Sequence, residues 1–233
     1  MIREIILDTI FPKGIYCAVC GKYIDKSRKY CLCDHCIKRM NFQQTIIPTE
    51  HIDFAMASMG YGLYERRLIF NLKYDAKTYM ARIIADIMYD SLYDMVAKGK
   101  KCPILQGELI VPVPISQERL KARGFNQSEK IAKHLGKKLG IPLCECALER
   151  ARNTTAQRAL SKKEREANMA DAFFAGFKAM KNIKGKKVIL LDDIYTTGAT
   201  AKACANILKE CGVEKIYYLS LLFAGNRHHL MVE

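Results

Sequence analysis

Two adjacent acidic residues and a group of threonines lie close together in residues 188–200, VILLDDIYTTGAT. Asp192 and Asp193 directly follow four apolar residues that predict a strand, and a helix is predicted to begin near Ala199. The loop between strand and helix would present backbone N–H groups at a helix N-terminus, which is where phosphate groups bind. The stretch therefore predicts a binding site for a phosphorylated ligand.

The side chains of this loop divide into two chemical groups. Thr196, Thr197 and Thr200 supply hydroxyl donors, and Gly198 allows a ligand to approach the backbone closely. The two carboxylates repel a phosphate, so we expect them to face vicinal sugar hydroxyls with Mg²⁺ nearby. A ligand with a phosphate, a ribose diol and a further anionic group would satisfy both sets of residues.

Four of the ten cysteines form two C-x-x-C pairs that are separated by twelve residues. These four are Cys17, Cys20, Cys33 and Cys36. Each pair can place two thiolates on one ion, so together they predict a closed, tetrahedral zinc site with a structural role. Zinc would replace the hydrophobic core that such a short segment lacks. The ligand set stays open, because Cys31 or His35 could replace one of the four.

Two runs of basic and polar residues stand beside predicted strand ends, in residues 115–138 and 150–168. They contain the candidate ligand-binding residues Arg119, Arg123, Asn126 and Gln127, and Arg158 and Lys162. Arginines and backbone amides near a helix start suit a second phosphate group. The second run has little apolar content, which predicts an exposed loop. A solvated helix face is the alternative for each run.

The composition favours anionic partners. Lys+Arg 38 against Asp+Glu 24 gives a formal net charge of +14, which suits phosphates, nucleotides or nucleic acid, although a generally basic surface is the alternative. No apolar run approaches the roughly 20 residues of a membrane span. The start, MIREIILDTIFPKG, lacks the apolar centre of a secretion signal. We therefore expect a cytoplasmic protein, in which clustered cysteines bind metal more often than they form disulfides.

The elements that must position these residues alternate between strand and helix in the second half of the chain. Strands are predicted at residues 109–114, 143–148, 188–191 and 215–223, helices at 77–97, 126–139 and 199–211, and a hairpin leading into a helix at 54–72. This alternation predicts a doubly wound, parallel α/β sheet, which binds ligands at the carboxyl ends of its strands. We expect a cysteine-rich module with an N-terminal helix in residues 1–50 and the α/β domain in 51–233.

The stretch VILLDDIYTTGAT resembles the phosphoribosyl pyrophosphate (PRPP) loop of the type I phosphoribosyltransferases. The order of the C-x-x-C pairs, FNLKYDAK, VPVPISQERLKARGFNQS, RNTTAQRALSKKEREAN and that loop resembles the competence protein F (ComF/GntX-like) family. The resemblance extends from about Cys17 to Phe223. It implies a phosphoribosyltransferase-type domain with a small zinc-finger-like N-terminal module, and a link to DNA uptake in naturally competent bacteria.

The resemblance also implies roles for individual residues. The residues that it implies for PRPP binding are Asp192, Asp193, Thr196, Thr197, Gly198, Ala199 and Thr200. The pyrophosphate side and a flexible loop comprise Lys73, Arg119, Arg123, Asn126, Gln127, Arg158 and Lys162. The implied reaction displaces pyrophosphate from C1 of PRPP through an oxocarbenium-like transition state, with Asp192, Asp193, Arg119 and Arg123 as the catalytic residues.

The sequence supports two alternative functions. One is a PRPP-dependent transferase of pentosyl groups, for which no residue pattern identifies the acceptor. The other is a non-catalytic, PRPP-regulated factor that binds single-stranded DNA and contacts other DNA-uptake proteins. Its support is the net charge, the zinc module and four aromatic residues that could stack on bases, although core packing is their commoner role. These aromatic residues are Tyr61, Tyr64, Phe70 and Tyr74.

Overall fold

A computed structural model describes residues 15–74, 77–150, 173–176 and 180–225 of the chain. Its centre is a five-stranded sheet with the strand order β1-β2-β7-β6-β3. These strands are β1 (Thr45–Ile46), β2 (Phe54–Gly60), β3 (Leu109–Pro112), β6 (Lys187–Tyr195) and β7 (Lys215–Phe223), while β4 (Leu148–Arg150) and β5 (Phe173–Ala175) form a separate antiparallel pair. β1 is antiparallel to β2, and every other neighbouring pair in the main sheet is parallel.

The helices of the described ranges connect and cover these strands. They are α1 (Asp34–Ile37), α2 (Leu63–Tyr74), α3 (Met80–Ala97), α4 (Gln117–Arg123), α5 (Gln127–Leu139), α6 (Met180–Ile183) and α7 (Ala199–Glu210), with 3₁₀ turns at Lys29–Cys31 and Pro103–Gln106. The helices predicted in residues 77–97, 126–139 and 199–211 are confirmed within a few residues at their ends. Among the described helices, none combines the length and hydropathy that crossing a bilayer requires.

Both faces of the main sheet are buried, as a doubly wound sheet requires. Successive side chains of a strand point to opposite faces. On β6, Ile189 and Leu191 share a core with α2, α3 and α5, whereas Val188 and Leu190 share a core with α7. The predicted α/β class with a mostly parallel sheet is therefore confirmed.

Two strand predictions are wrong. The hairpin expected in residues 54–72 is a single strand, β2, which is buried along nearly its whole length between β1 and β7 and leads directly into α2. The strand expected in residues 143–148 makes only one parallel bridge, from Leu143 to Ile110. The chain then turns away from the main sheet, because β4 pairs with β5 instead.

The strand that was expected to end at Leu191 continues to Tyr195. Asp192, Ile194 and Tyr195 all have partners on β7, so pairing with that strand extends the ladder past the apolar run. The acidic pair consequently belongs to the strand itself, and the loop begins only at Thr196.

The cysteine-rich segment packs closely against the α/β part. Its buried residues Leu32, Cys36 and Met40 share one hydrophobic core with α2 and α3. The Tyr30 hydroxyl donates a hydrogen bond to Asp90 of α3 at 2.7 Å. The division at residue 50 stays a prediction, and the helix expected in residues 1–14 lies outside the described residues.

Candidate functional site

Asp192 and Asp193 lie near the carboxyl end of β6, and both are buried, at 9% and 6% exposure. Because they are consecutive in a strand, their side chains point to opposite faces of the sheet. Asp193 forms an ion pair with Lys73, near the end of α2. The carboxylate of Asp192 accepts hydrogen bonds from the Ser128 hydroxyl at 3.3 Å, the Asp193 backbone N–H at 2.8 Å and the Tyr218 hydroxyl at 3.5 Å.

The two carboxyl groups differ in their electrostatic surroundings. Burial raises the pKa of Asp192 well above its usual range, and the neighbouring charge of Asp193 raises it further. Lys73 opposes this effect, but its ion pair is with Asp193. Burial and the charges of both aspartates also raise the pKa of Tyr218, which keeps it a hydroxyl donor. A cation or a set of hydroxyl donors would therefore stabilise the ionised form of Asp192.

The turn Thr196–Gly198 connects β6 to α7, whose first turn contains no acidic residue. Thr196 and Thr197 are exposed, while Ala199 and Thr200 are half-buried in the first turn. Gly198 caps the helix with φ of 80°, a conformation that favours glycine. Residues 196–200 thus form a helix N-terminus with accessible hydroxyl groups, two residues after the acidic pair. Such an arrangement can bind a phosphate.

The loop after β3 brings a second helix N-terminus to the same edge of the sheet. The Asn126 side chain caps α5 by accepting a hydrogen bond from the Ser128 N–H at 3.0 Å, and it donates to the Val113 carbonyl at 3.0 Å. Arg123 donates to Gln127 at 3.1 Å, and its guanidinium lies over the ring of Tyr74. Asn126 and Gln127 thus organise the loop in this structure, because their side chains are engaged within the protein.

The structure places some of the predicted basic residues close to the acidic pair, and others lie outside the described residues. Lys73, Arg123 and the acidic pair are linked through α2, because Lys73 contacts Asp193 and its neighbour Tyr74 contacts Arg123. Arg119 lies in the first turn of α4, the helix that Arg123 ends, and its backbone N–H donates to the Ser116 hydroxyl at 3.4 Å. Arg158 and Lys162 lie outside the described residues.

Three residues near the acidic pair are not among the predicted site residues. Ser128 and Tyr218 contact Asp192 directly, and neither has a sequence signal, because the contacts depend on how β6 packs against β7 and α5. Arg150 ends β4 with its guanidinium 5.1 Å from the ring centre of Phe173. Its Nε is buried and has no hydrogen-bond partner within the described ranges. Burial and the charge of Arg119 lower the pKa of Arg150.

The second candidate site is the cysteine cluster. The thiol sulfurs of the four predicted ligands, Cys17, Cys20, Cys33 and Cys36, all lie within 4.8 Å of one another. Burial raises the pKa of Cys17, but the N–H groups of Cys20, Cys33 and Val19 outweigh it and lower the pKa to about 7. Burial raises the pKa values of Cys20 and Cys36, and a metal ion held by all four sulfurs would favour their thiolate forms. The four cysteines could therefore bind a metal such as zinc.

The two alternative ligands lie outside this group of sulfurs. His35 bonds to Arg39 at 3.0 Å and contacts the Tyr64 hydroxyl at 3.3 Å. Cys31 supports the cluster through its backbone, since its carbonyl accepts a hydrogen bond from the Ala18 N–H at 2.8 Å. In the described part of the chain, the geometry favours the four cysteines of the two C-x-x-C pairs.

Part of the chain is similar to known proteins. Residues 121–229 match the family model of the phosphoribosyl transferase domain, which includes the acidic pair and the loop after it. Among solved structures, the chain is similar to a hypoxanthine phosphoribosyltransferase from Staphylococcus aureus, with 17% identity, a TM-score of 0.37 and coverage of 60% of this chain and 62% of that one. The family model thus matches the phosphoribosyl transferase domain to the second half of the chain.

Curated relatives narrow the class. Competence protein F of Haemophilus influenzae is 28% identical over 202 residues, which cover 86% of this chain and 81% of the relative. DNA utilization protein YhgH of Escherichia coli K12 is 29% identical and covers 64% of this chain and 63% of its own length. Competence protein ComFC of Bacillus subtilis is 35% identical over 104 residues, 45% of this chain and 39% of the relative. The chain is therefore similar to competence protein F and its relatives, and part of it matches the phosphoribosyl transferase domain.

Proposed function

We propose that this protein binds PRPP at the carboxyl end of β6 and transfers its phosphoribosyl group to an acceptor with release of pyrophosphate. One observation carries the proposal. The buried pair Asp192 and Asp193 stands two residues before the turn Thr196–Gly198, which leads into the N-terminus of a twelve-residue helix. The acids would serve the ribose and the turn would serve the 5-phosphate, which together are two of the three recognition elements of PRPP.

Each part of the site has a distinct task in this reaction. The N–H and hydroxyl groups of the turn hold the 5-phosphate, and the acidic pair orients the ribose diol and favours positive charge on the sugar. Lys73, Arg119 and Arg123 stabilise the departing pyrophosphate. Mg²⁺ would neutralise charge on the leaving group. The raised pKa of Asp192 fits a nearby cation, because a cation stabilises its ionised form.

Calorimetric titration of PRPP with Mg²⁺ tests the binding step, and a pyrophosphate assay with candidate bases and amines tests the transfer. We expect the double variant Asp192→Asn, Asp193→Asn to lose PRPP binding while keeping its circular dichroism spectrum. The control is Asp94→Asn, an exposed acid on α3, which should bind like the wild type. Unchanged affinity in the double variant would refute the assignment. Binding without pyrophosphate release from any acceptor would favour a regulatory role for PRPP.

We also infer that the bound metal is zinc, with a structural role. Four sulfur ligands match the preference of zinc for closed tetrahedral thiolate sites. All ten cysteines are free in this structure, which suits a reducing compartment and supports the cytoplasmic location expected above.

A second candidate function is PRPP-regulated binding of single-stranded DNA without catalysis, alone or with other DNA-uptake proteins. Its specific support is the outer face of α2 and the turn before it. Tyr61, Phe70 and Tyr74 are 49%, 53% and 62% exposed, so the core role expected for these aromatics is wrong for these three. Arg66 and Arg67 are exposed on the same helix. Stacking rings beside guanidinium groups suit a single strand.

Fluorescence anisotropy of a labelled oligothymidine tests this candidate with and without PRPP. We expect weaker binding in Phe70→Ala and a steep loss of affinity as salt rises, because released counterions drive phosphate contacts. The names of the relatives, which refer to competence and DNA utilization, agree with this candidate. Equal affinity for wild type and Phe70→Ala would exclude α2 as the binding surface.

A further inference from the structure

Helix α2 connects the cysteine cluster to the acidic pair. Near its C-terminal end, the Asn71 side-chain amide donates a hydrogen bond to the backbone carbonyl of Ala18 at 2.8 Å. Two residues later, Lys73 forms its ion pair with Asp193. One turn of one helix therefore contacts both candidate sites.

The Ala18 carbonyl is a fixed point of the cysteine cluster. Ala18 lies between Cys17 and Cys20 and is 3% exposed. Its N–H donates to the Cys31 carbonyl at 2.8 Å, and the N–H of Gly21 donates to the Cys17 carbonyl at 2.9 Å, so the knuckle is held on both sides. A bound metal would fix this peptide further, because two of its ligands flank the carbonyl.

Displacement of Asn71 would be transmitted to Lys73. Residues two positions apart in an α-helix differ by only 3 Å along the axis at a rise of about 1.5 Å per residue. The side chain of Lys73 is 17% exposed and the side chain of Asp193 is 8% exposed, so the pair has little room to adjust independently. The position of the ammonium group over Asp193 thus depends on where α2 is anchored.

We propose that Asn71 is a positioning residue that couples the metal-binding cysteine cluster to the Lys73–Asp193 ion pair. The coupling itself follows from the two contacts of α2. Its consequence for the ligand rests on the proposed function, since it predicts that the state of the metal site changes PRPP affinity.

Reactivity of the Lys73 amine tests the coupling without any use of PRPP. The full chain is labelled with a limiting amount of acetic anhydride, and labelling at each lysine is measured by mass spectrometry. We expect labelling of Lys73 to rise several-fold in Asn71→Ala and in metal-chelated wild type, with no further rise when the variant is chelated. Lys133 on α5 is the internal reference, and Asn182→Ala, at an exposed asparagine on α6, is the matched control. Unchanged labelling of Lys73 in folded Asn71→Ala would overturn the proposal.

A second variant guards against a failure to fold. Asn71→Asp keeps the shape of the side chain but removes its N–H donor, so it should raise Lys73 labelling as well. Asn71→Gln retains a donor and should restore part of the protection. If all three variants label like the wild type, Asn71 has no positioning role.

The ligand arm is a double-mutant cycle on PRPP affinity. We expect Asn71→Ala to weaken PRPP binding by roughly fivefold, and to have no added effect in a Lys73→Met background, because coupled residues are non-additive. Additive effects would contradict action through Lys73. Failure of the wild type to bind PRPP would refute the proposed function alone, since the labelling experiment decides the coupling independently.

Discussion

Asp193 of β6 is paired with Lys73 of α2, whereas the adjacent Asp192 has hydroxyl and N–H donors as its partners among the described residues. The two acids of one motif therefore have different electrostatic environments. Asp193 has Lys73 as a cationic partner, and burial raises the pKa of Asp192 well above the usual range. This asymmetry determines how each substitution should act.

Removing the partner of Asp193 should destabilise the protein. Lys73→Met leaves a buried carboxylate without its cation, and uncompensated buried charges are costly. Because Lys73 retains some exposure, we expect the free energy of unfolding to fall by about 1–3 kcal/mol, measured by urea denaturation.

The matched control is Lys98→Met. Lys98 pairs with Asp94 on the exposed side of α3, and surface pairs of this kind contribute no more than about 0.5 kcal/mol. If both variants lose a similar free energy of unfolding, the ion pair with Asp193 contributes no more to stability than a surface pair.

Asp192→Asn should stabilise the folded protein at neutral pH. A raised carboxyl pKa means that the folded state binds a proton more tightly than the unfolded state, so the wild type loses stability as pH rises from the usual aspartate pKa through the folded pKa. The neutral amide avoids this loss and can keep the bonds to Ser128 and Tyr218. We expect a gain on the order of 1 kcal/mol near neutral pH, which disappears in acid, by denaturation across a pH series.

Asp94→Asn provides a control of opposite sign. Hydrogen bonds and charge from Lys98, with a further bond from Gln44, lower the pKa of Asp94. Its carboxylate therefore contributes stability above the usual pKa, and that contribution is lost as pH falls. A loss of stability in Asp192→Asn at neutral pH would contradict the raised pKa.

Metal content should depend on the four clustered cysteines and not on Cys31. We expect the wild type to bind about one zinc per chain and Cys36→Ser to lose most of it, because a closed tetrahedral site needs all four ligands. Cys31→Ser and Cys146→Ser, which replace cysteines outside the cluster, should retain the metal. Elemental analysis of purified protein measures all four. Loss of zinc in Cys31→Ser would place Cys31 among the ligands.

Gly198→Ala should cost more than glycine replacement elsewhere. A Cβ at Gly198 would meet the Tyr195 ring as well as the unfavourable positive φ. Gly140→Ala is the control, since Gly140 also has positive φ, 70°, but has no atoms within 4 Å of an added Cβ. We expect a loss of about 1 kcal/mol for Gly140→Ala and at least twice that for Gly198→Ala, by urea denaturation. Equal losses would show that Tyr195 yields without cost.

The elements with a strong local signal were predictable from the sequence. The helical spacing in α3 and α7 and the apolar run before Asp192 each depend on residues that are close in the chain. The two C-x-x-C pairs also carry their own geometry, because each knuckle places its thiols from a tight turn. Local chemistry of this kind requires no knowledge of the rest of the fold.

Features that depend on strand pairing could not be predicted in the same way. The sequence predicts a hairpin where the structure has the single strand β2, because the pairing of β2 with β7 joins segments that are distant in sequence. The sequence predicts a strand at residues 143–148. The strand that forms instead is β4, which pairs with β5, and no local pattern indicates that pairing.

The order of residues along the chain is enough to predict an acidic pair before a threonine–glycine turn at a helix start, and four cysteines spaced for one metal. The contacts of Asp193 with Lys73, of Asp192 with Ser128 and Tyr218, and of Asn71 with Ala18 become visible only in the folded protein. The reason is physical. Motif spacing fixes contacts within a turn, whereas contacts between distant segments follow from the packing of strands and helices into a common core.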